Sequence, residues 1–323
     1  MVKIILARGP GGPEVLEPAE VELLPPGAGE VQVRHRAVGV NFIDVYRRRG
    51  LYPAQFPLVP GHEGAGEVVA VGASVTDFKA GDRVAYVGPI GAYCAARNVA
   101  ASALVKLPDA FSFEAGATMM LKGLTAQYLL RRTFRVGEGH RVLVHAGAGG
   151  TGQLLCSWAR ALGAFVIATV GSPAKAEIAR AAGAHATILY RDEDFPARVR
   201  EITKGELCHV VYDGVGAATF PASLDCLAPF GFFVSFGQAS GPIPPFDLGL
   251  LAQKGSLYAA RPSLFTHIAD RRVYEEMFAD LIAAAEQGFV RFESPQRFPL
   301  DQAAAVHAAL ESRKTSGAMV LEP

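Results

Sequence analysis

The glycine-rich run His145-Ala-Gly-Ala-Gly-Gly-Thr-Gly152 constrains the fold of this chain more than any other sequence feature. It follows a short apolar segment typical of a β-strand, His140–His145, and opens a segment with helical spacing of apolar residues, Gly152–Leu162. Glycines allow a tight turn and a close ligand approach, while the N-terminus of a helix favours an anion. The run therefore predicts a loop that binds the pyrophosphate of a dinucleotide, with an ordinary strand–helix turn as the alternative. A Walker A loop is excluded because no Gly-Lys-Ser/Thr follows.

Strand and helix patterns alternate in the part of the chain that contains this loop. From about residue 123, short apolar strands are separated by helices or long connections, and Pro173–Ala182 is predicted to be a helix with proline at its start. The further predicted strands are Ala164–Val170, Ala186–Tyr190, Val210–Asp213, Phe232–Phe236 and Ser256–Ala260. Because parallel strands need long, right-handed crossovers, this order predicts an α/β fold with a doubly wound parallel sheet of the Rossmann type.

The regions on either side have a different pattern. Residues 1–120 are predicted to be β-rich, since segments such as Glu30–Val38 and Gly66–Val71 carry β-branched residues and are separated by Gly/Pro turns. After residue 262 we expect, in order, a long amphipathic helix over Ile268–Gln287, a helix capped by Asp301 that runs through Ser312, and a final strand over Ala318–Leu321. This last segment could return to the first domain and make that domain discontinuous.

The residues after the second strand bear on the choice between NAD and NADP. A fold that binds NAD usually carries an Asp or Glu there, which hydrogen-bonds the adenosine ribose. This chain reads Thr169-Val-Gly-Ser-Pro-Ala-Lys175, so no carboxylate repels a 2′-phosphate and Lys175 is close enough in sequence to bind one. The alternative for Lys175 is a solvated lysine on a helix face. The pattern favours NADPH as the cofactor.

Composition excludes several other classes of protein. The 323 residues suit about two domains, and 31 basic residues balance 31 acidic ones, which argues against nucleic acid or acidic membranes as partners. No apolar run of about 18 residues indicates a membrane span, and the start, Met-Val-Lys-Ile-Ile-Leu, lacks the features of a signal peptide. The four cysteines are far apart and form no CxxC pair, so a cytoplasmic location is expected.

Several segments together resemble the zinc-free quinone oxidoreductases of the medium-chain dehydrogenase/reductase superfamily, the group that includes zeta-crystallin, and in particular their bacterial NADPH-dependent members. The likeness covers essentially the whole chain and rests on the order and spacing of motifs that are each only modestly specific. These motifs are Val38-Gly-Val-Asn-Phe-Ile-Asp-Val-Tyr46, Pro60-Gly-His-Glu-Gly-Ala-Gly66, Leu121-Lys-Gly-Leu-Thr-Ala126, His145–Gly152, Val211-Tyr-Asp-Gly-Val-Gly216, Val234-Ser-Phe-Gly237 and Leu257-Tyr-Ala-Ala-Arg-Pro262.

The resemblance implies a domain arrangement. A β-rich GroES-like catalytic domain is expected over residues 1–122 and again over 263–323, with a Rossmann dinucleotide-binding domain over 123–262. The active site is expected in the cleft between the two domains. A homodimer is also expected, because such dimers are common in this family and Ser256–Ala260 is an apolar strand predicted to lie at a sheet edge.

The resemblance also implies site residues. Those implied to contact NADPH are Ala148, Gly149, Gly150, Thr151 and Gly152 at the pyrophosphate, Lys175, Tyr190 and Arg313 at the 2′-phosphate, and Val215, Gly216, Phe236, Gly237 and Arg261 near the ribose and nicotinamide. Those implied to surround the nicotinamide ring and the acceptor, as the catalytic set, are Asn41, Tyr46, Tyr52 and Thr125. Structural alternatives remain for several of them, since Tyr190 could be a core residue at a strand end, Asn41 a turn cap, Tyr52 a loop-packing aromatic and Arg313 a helix-end cation.

The zinc ligands of related alcohol dehydrogenases are missing from this sequence. The first catalytic cysteine of those enzymes falls at Asn41 and the last near Lys122, and neither residue here is a thiolate. His62 and Glu63 remain, and His62 departs from the zinc-free bacterial pattern, but two adjacent residues are too few for a site. No four closely spaced cysteines occur for a structural zinc. We therefore expect no metal.

The leading hypothesis for function is NADPH-dependent reduction of a quinone-like small molecule by hydride or electron transfer. The protein would hold the nicotinamide and the acceptor, and the cofactor would carry the chemistry. One alternative is reduction of an activated C=C bond in an enal, enone or enoyl thioester. A second alternative is a non-enzymatic NADPH-binding protein. His145 is expected to be structural rather than a general base, and no GxSxG motif supports acyl transfer.

Overall fold

The computed structural model describes residues 1–292, 295–312 and 317–323. The chain divides into two compact units: Met1–Leu121 together with Phe292–Pro323, and Lys122–Arg291. No helix among the described residues is long and apolar enough to cross a membrane.

Strands and helices alternate from residue 141 onward, as the sequence predicts, whereas the part before it is richer in strands. The strands are β1 (Val2–Ala7), β2 (Leu16–Val21), β3 (Glu30–Gly39), β4 (Glu63–Val71), β5 (Arg83–Val87), β6 (Ala96–Ala100), β7 (Leu104–Lys106), β8 (Arg141–His145), β9 (Phe165–Val170), β10 (Ala186–Leu189), β11 (Cys208–Asp213), β12 (Leu227–Ser235), β13 (Tyr258–Ala260), β14 (Gln296–Pro299) and β15 (Met319–Glu322). The α-helices are α1 (Phe42–Arg48), α2 (Phe113–Tyr128), α3 (Gly150–Ala161), α4 (Pro173–Ala181), α5 (Phe195–Ile202), α6 (Gly249–Gln253), α7 (Leu264–His267), α8 (Arg271–Glu286) and α9 (Ala303–Glu311).

The first unit is built on a seven-stranded sheet. Its strand order is β14-β15-β3-β4-β5-β7, and β6 pairs with β3 off this path. The first half of β3 alternates, with Val31 and Val33 fully buried and Gln32 and Arg34 partly or fully exposed, as expected for a strand with one face on a core. The C-terminal strand β15 pairs with β3 in antiparallel register, Val320 opposite Gly39, so the end of the chain belongs to the sheet of the first unit.

The second unit contains the predicted doubly wound sheet, which is confirmed. Its six strands are all parallel and lie in the order β10-β9-β8-β11-β12-β13. Successive strands are added on one side of β8 up to β10 and on its other side from β11 onward, so the strand order reverses between β8 and β11. The central strands are almost continuously apolar and buried, as parallel strands covered on both faces should be. Such a reversal point is where open α/β sheets bind their ligands, at the carboxyl ends of the strands.

The structure ends the second unit at Arg291, whereas the sequence predicts 262. Residues from the intervening segment pack against the second-unit part of α2 and the turn after it. Gln127 Nε2 donates to Asp280 at 2.9 Å, and the His267 ring stacks on Tyr128 with centroids 4.8 Å apart. One contact is a polar hydrogen bond and the other a ring stack, and neither follows from a hydrophobic pattern in the sequence.

Two predicted helix starts are wrong. Helix α8 begins at Arg271 rather than Ile268, because the Asp270 side chain accepts from the backbone N–H groups of Arg272 and Val273 at 2.9 and 3.2 Å and so forms its N-cap. Asp301 caps no helix: it lies inside a 3₁₀ turn, Leu300–Gln302, and α9 starts after it with Gln302 at the N-cap.

Candidate functional site

The predicted cofactor residues of the second unit lie together at one edge of its sheet. Because all six strands are parallel, their carboxyl ends meet at the same edge. The segments that directly follow these ends contain Ala148 to Gly152 after β8, Lys175 after β9, Tyr190 after β10, Val215 and Gly216 after β11, Phe236 and Gly237 after β12, and Arg261 after β13. The remaining predicted cofactor residue, Arg313, lies outside the described residues.

The glycine-rich loop has the geometry that an anion-binding turn requires. Helix α3 starts at Gly150, its N-cap is Gly149, and no side chain caps it, so the N–H groups of the first turn are left for a ligand. A Cβ on Gly152 would lie 2.2 Å from the carbonyl oxygen of Ala146, so only glycine fits there. Ala146 itself has φ 54°, a conformation that tightens the turn out of β8. The residues present therefore fit a pyrophosphate.

His145 is a buried cross-link behind this loop. Its Nε2 lies 2.9 Å from Ser223 Oγ, which in turn donates to the carbonyl of Thr219, so Nε2 carries the proton and donates. Its Nδ1 then accepts from Thr169 Oγ1 at 2.8 Å. Burial lowers the pKa of His145, with partial opposition from the charge of Asp213. Both ring nitrogens are occupied by the fold, in agreement with the structural role expected for this residue.

The turn after β9 brings together backbone and side-chain groups from two neighbouring strand ends. Ser172 caps α4 by accepting from the backbone N–H of Lys175 at 3.4 Å. A Cβ on Gly171 would lie 3.3 Å from the phenol oxygen of Tyr190 and 3.5 Å from Nε of Arg191, so both side chains reach this turn. Arg191 was missed from the sequence, although its position directly after Tyr190 at the end of β10 could have indicated it.

Asp213 organises the loops after β11 and β12. Its buried carboxylate accepts from the backbone N–H groups of Val215 and Gly216 at 2.7 and 3.0 Å and from Thr219 Oγ1 at 2.7 Å. Its backbone carbonyl accepts from Phe236 N at 2.8 Å. Val215, Gly216 and Phe236 were predicted as cofactor residues, but Asp213 was not, although it holds the loops after β11 and β12 in place.

Arg261 ties the end of the edge strand to its neighbour. Its guanidinium donates to Ser235 Oγ at 2.8 Å and to the carbonyl of Gly237 at 2.9 Å. The predicted nicotinamide-side residues thus belong to one hydrogen-bonded group of loops. Thr125, predicted near the acceptor, lies in the second-unit part of α2 and is 9% exposed.

The first unit places Asn41 at the start of α1 inside a buried polar network. Asn41 N–H donates to Asp44 Oδ2 at 2.9 Å in a capping box, and its side-chain amide donates to Glu63 Oε1 at 2.7 Å. The other oxygen of Glu63 accepts from the backbone N–H of Leu121 at 2.7 Å. His62 Nδ1 is 2.6 Å from Asp44 Oδ1. The turn-cap role proposed as the alternative for Asn41 is therefore present in the structure.

A second branch of this network runs from Asp44 to the last helix. Arg48 donates to His307 Nδ1 at 3.0 Å, so His307 donates through Nε2 to the phenol oxygen of Tyr93 at 2.9 Å, and Tyr93 donates to Asp44 Oδ2 at 3.3 Å. Burial lowers the pKa of His307 to about 4. Burial, followed by the charge of Asp44, raises the pKa of Tyr93 well above its usual value. The donors thus point in one direction and end on a carboxylate.

Tyr46 and Tyr52 form an aromatic pair beside this network. Their rings meet edge to face with centroids 5.2 Å apart, and Phe42 lies 6.1 Å from Tyr46. Backbone N–H groups of Leu51 and Tyr52 both donate to the carbonyl of Tyr46, which folds the loop back onto α1. Tyr46 is buried, at 8% exposure, and Tyr52 is partly exposed, so Tyr52 is the more accessible residue of the pair.

Asn41, at the position implied for the first catalytic cysteine, and His62 both make other contacts. Asn41 is bonded to Glu63 and His62 to Asp44, as described above. Among the described residues, no group of three or more His, Cys, Asp and Glu side chains is arranged to hold a metal ion. The absence of zinc stays a prediction that elemental analysis must test.

Comparison with known proteins gives a consistent result. Residues 27–138 match the alcohol dehydrogenase GroES-like domain, and residues 150–282 match the model described as zinc-binding dehydrogenase. A quinone oxidoreductase of Pseudomonas aeruginosa is 51% identical over 325 residues, covering 100% of both chains. A crystal structure of Escherichia coli quinone oxidoreductase complexed with NADPH is 45% identical, with a TM-score of 0.97 and coverage of 99% of this chain and 100% of that one. A 2-haloacrylate reductase of a Burkholderia species is 42% identical, covering 100% of this chain and 99% of that protein.

These relatives match the chain over essentially its whole length, and the Escherichia coli structure matches its fold with a TM-score of 0.97. The resemblance expected from the motifs is confirmed, and the β-rich first unit is GroES-like. The chain belongs to the quinone oxidoreductase family of the medium-chain dehydrogenase/reductase superfamily.

Proposed function

We propose that this chain is an NADPH-dependent reductase whose acceptor is a quinone. The observation that carries the proposal is the carboxyl edge of the second unit's sheet. There an uncapped helix N-terminus follows β8, and the turn after β9 is approached by Tyr190 and Arg191 and is followed by Lys175 in the first turn of α4. The helix N-terminus suits a pyrophosphate, and the turn after β9 suits a 2′-phosphate. The relative crystallised with NADPH and the relatives named as quinone oxidoreductases support the same reading.

Each group of residues then has a definite task. When bound, NADPH supplies a hydride to the acceptor, and a quinone needs one further proton to become a hydroquinone. The loops held by Asp213 and Arg261 orient the nicotinamide end of the cofactor. Tyr46 and Tyr52 present the flat surface against which the acceptor is oriented, while Asn41 is held rigid by Glu63 and Asp44. The catalytic contribution of these residues is positioning, since water can protonate a hydroquinone oxygen.

The test is a screen of acceptors with purified protein. NADPH oxidation is followed at fixed protein concentration with 1,4-naphthoquinone, with an enone and with no acceptor. Rapid turnover with the quinone alone supports the proposal. Turnover with neither acceptor would overturn it and leave a binding protein.

Reduction of an activated C=C bond is the second candidate. The 42% identity with a 2-haloacrylate reductase favours it, because the name of that relative describes a conjugated alkene as substrate. An enone needs a proton at carbon after hydride arrives, so a tyrosine would matter more with that substrate than with a quinone. Turnover in the screen with the enone and not with the quinone would select this candidate.

We also infer that catalysis needs no zinc. Asn41 and Lys122 stand where the zinc-dependent relatives carry thiolates. Activity should therefore survive treatment with a strong chelator, and about one tightly bound zinc per chain, lost together with activity, would contradict this inference.

We further infer a homodimer in the cytoplasm. Free cysteines at four buried positions suit a reducing compartment. The edge strand β13 carries Tyr258, which is 51% exposed, and the neighbouring strand β12 carries Phe230, which is 66% exposed. An apolar sheet edge of this kind favours pairing with a second copy.

A further inference from the structure

Helix α1 ends in three consecutive arginines that have different surroundings. Arg48 is fully buried and pairs with Glu311, and Arg49 lies 3.6 Å from the same carboxylate. Arg47 is the exception: within the described ranges it forms no ion pair with an Asp or Glu side chain. Its charge is therefore not neutralised by the described part of the fold.

The guanidinium of Arg47 is nevertheless held in a fixed place. One terminal nitrogen donates to the carbonyl of Pro53, and the guanidinium carbon lies 5.8 Å from the centre of the Tyr52 ring. Its Nε is buried and has no hydrogen-bond partner. A buried donor without a partner costs free energy, and a guanidinium offers five donors in a planar fork. Arg47 as a whole is partly exposed and carries a charge that no described residue pairs, and an oxyanion is the group that best matches its planar fork of donors.

This cation borders the aromatic pair already described. Tyr52 contacts both Arg47 and Tyr46, so aromatic rings and a positive charge are adjacent in the first unit. A planar acceptor that lies against the tyrosines would bring its ring substituents next to the guanidinium. The combination matches an aromatic molecule that carries an acidic group at its edge.

We propose that Arg47 determines specificity by binding an anionic substituent, a sulfonate or carboxylate, on the quinone acceptor. The inference rests on the proposed function, because it takes Tyr46 and Tyr52 as the surface that holds the acceptor. It predicts that anionic quinones are favoured over neutral ones of the same ring size.

The experiment compares 1,4-naphthoquinone-2-sulfonate with 1,4-naphthoquinone, with saturating NADPH. The sulfonate changes the intrinsic reactivity of the ring, so the quantity read is the ratio of the two kcat/KM values in each variant relative to wild type. Arg47→Leu should lower this ratio about tenfold or more, mainly through KM for the sulfonate. Arg47→Lys should restore part of it, because charge is kept and the planar fork is lost. Arg49→Leu is the matched control and should leave the ratio unchanged within about twofold.

Every outcome decides one of two questions. If wild type reduces neither quinone, the proposed function fails. If wild type reduces both and Arg47→Leu lowers the two kcat/KM values equally, Arg47 only supports the loop and the inference is overturned. An equal change of ratio in Arg47→Leu and Arg49→Leu would also overturn it, by showing a diffuse charge effect. Should Arg47→Leu fold poorly, wild type gives the answer: naphthalene-2-sulfonate should compete with 1,4-naphthoquinone, and failure to compete contradicts the inference.

Discussion

Asp44 is the residue on which the polar interior of the first unit depends. It is fully buried and accepts from Asn41 N–H, His62 Nδ1 and Tyr93 Oη. Asp44→Asn replaces part of this acceptor by an amide donor and leaves at least one buried donor unsatisfied. We expect the free energy of unfolding to fall by about 2–4 kcal/mol, measured by urea denaturation at neutral pH. Asp77→Asn, at an exposed position, is the control, and an equal loss in both variants would contradict this role.

Single residues of this network were only partly predictable. The pair His62 and Glu63 is visible in the sequence, and so is its departure from the zinc-free pattern. The other partners are not visible, because Tyr93 is 49 positions from Asp44 and His307 is 259 positions from Arg48, and only folding brings these pairs together. Sequence patterns report periodicity, and a hydrogen bond between distant polar residues has none.

Lys175 is the residue expected to distinguish NADPH from NADH. It lies in the first turn of α4, next to the turn that Tyr190 and Arg191 approach. A charged hydrogen bond to phosphate contributes about 1.5–3 kcal/mol, so Lys175→Ala should weaken NADPH binding about tenfold or more. NADH, which lacks the phosphate, should bind almost unchanged. Fluorescence titration measures the affinity for both cofactors, with Lys79→Ala as control. An equal loss of affinity for NADH would show that Lys175 does not bind the phosphate.

At the scale of elements, the buried His307 of α9 contacts Arg48 of α1, and protonation of this histidine should lower the stability of the fold. His307 accepts from Arg48, and its pKa is about 4 in the folded protein against about 6.5 for an unperturbed imidazole. The fold therefore favours the neutral ring. This contribution is fully present above pH 6.5, falls progressively as the pH drops below 6.5, and is completely lost below about pH 4. From pH 7.5 to 4.5 the loss should amount to roughly 2 kcal/mol.

The variant His307→Gln isolates this contribution. Glutamine cannot titrate, so the variant should be less stable than wild type at pH 7.5 but should lose about 2 kcal/mol less between pH 7.5 and 4.5. Urea unfolding at the two pH values measures both quantities. Parallel pH dependences in the two proteins would show that His307 does not couple the helices to acid.

Elements were predicted well where their pattern is apolar and less well at their ends. The six strands of the parallel sheet follow from continuous apolar runs, and the fold class follows from their order. The edge strand was predicted to start at Ser256 but starts at Tyr258, because Ser256 adopts φ 54° and turns the chain before pairing begins. Asp301 has the residue type of a cap, but the 3₁₀ turn around it delays the helix.

At the scale of the whole molecule, the edge of the parallel sheet is the feature that bears on assembly. Strand β13 pairs with β12 on one side only, through Tyr258 opposite Phe232, whose rings stack with centroids 4.7 Å apart. Its other edge is not covered by another strand of the described chain. We expect a homodimer, with a mass by light scattering of about twice the 34.1 kDa of one chain at micromolar concentration.

Tyr258→Lys tests whether this edge forms the contact between copies. A lysine on an edge strand opposes pairing with a second strand because its charge would have to be desolvated, and a two-fold contact would bring two such charges together. The variant should therefore shift toward the monomer by at least tenfold in dimer dissociation constant, while its unfolding midpoint at high protein concentration changes little. Leu24→Lys is the matched control, since Leu24 is 63% exposed and lies in the first unit. A monomeric wild type would contradict the dimer itself, and a dimeric Tyr258→Lys with unchanged affinity would place the contact on another surface.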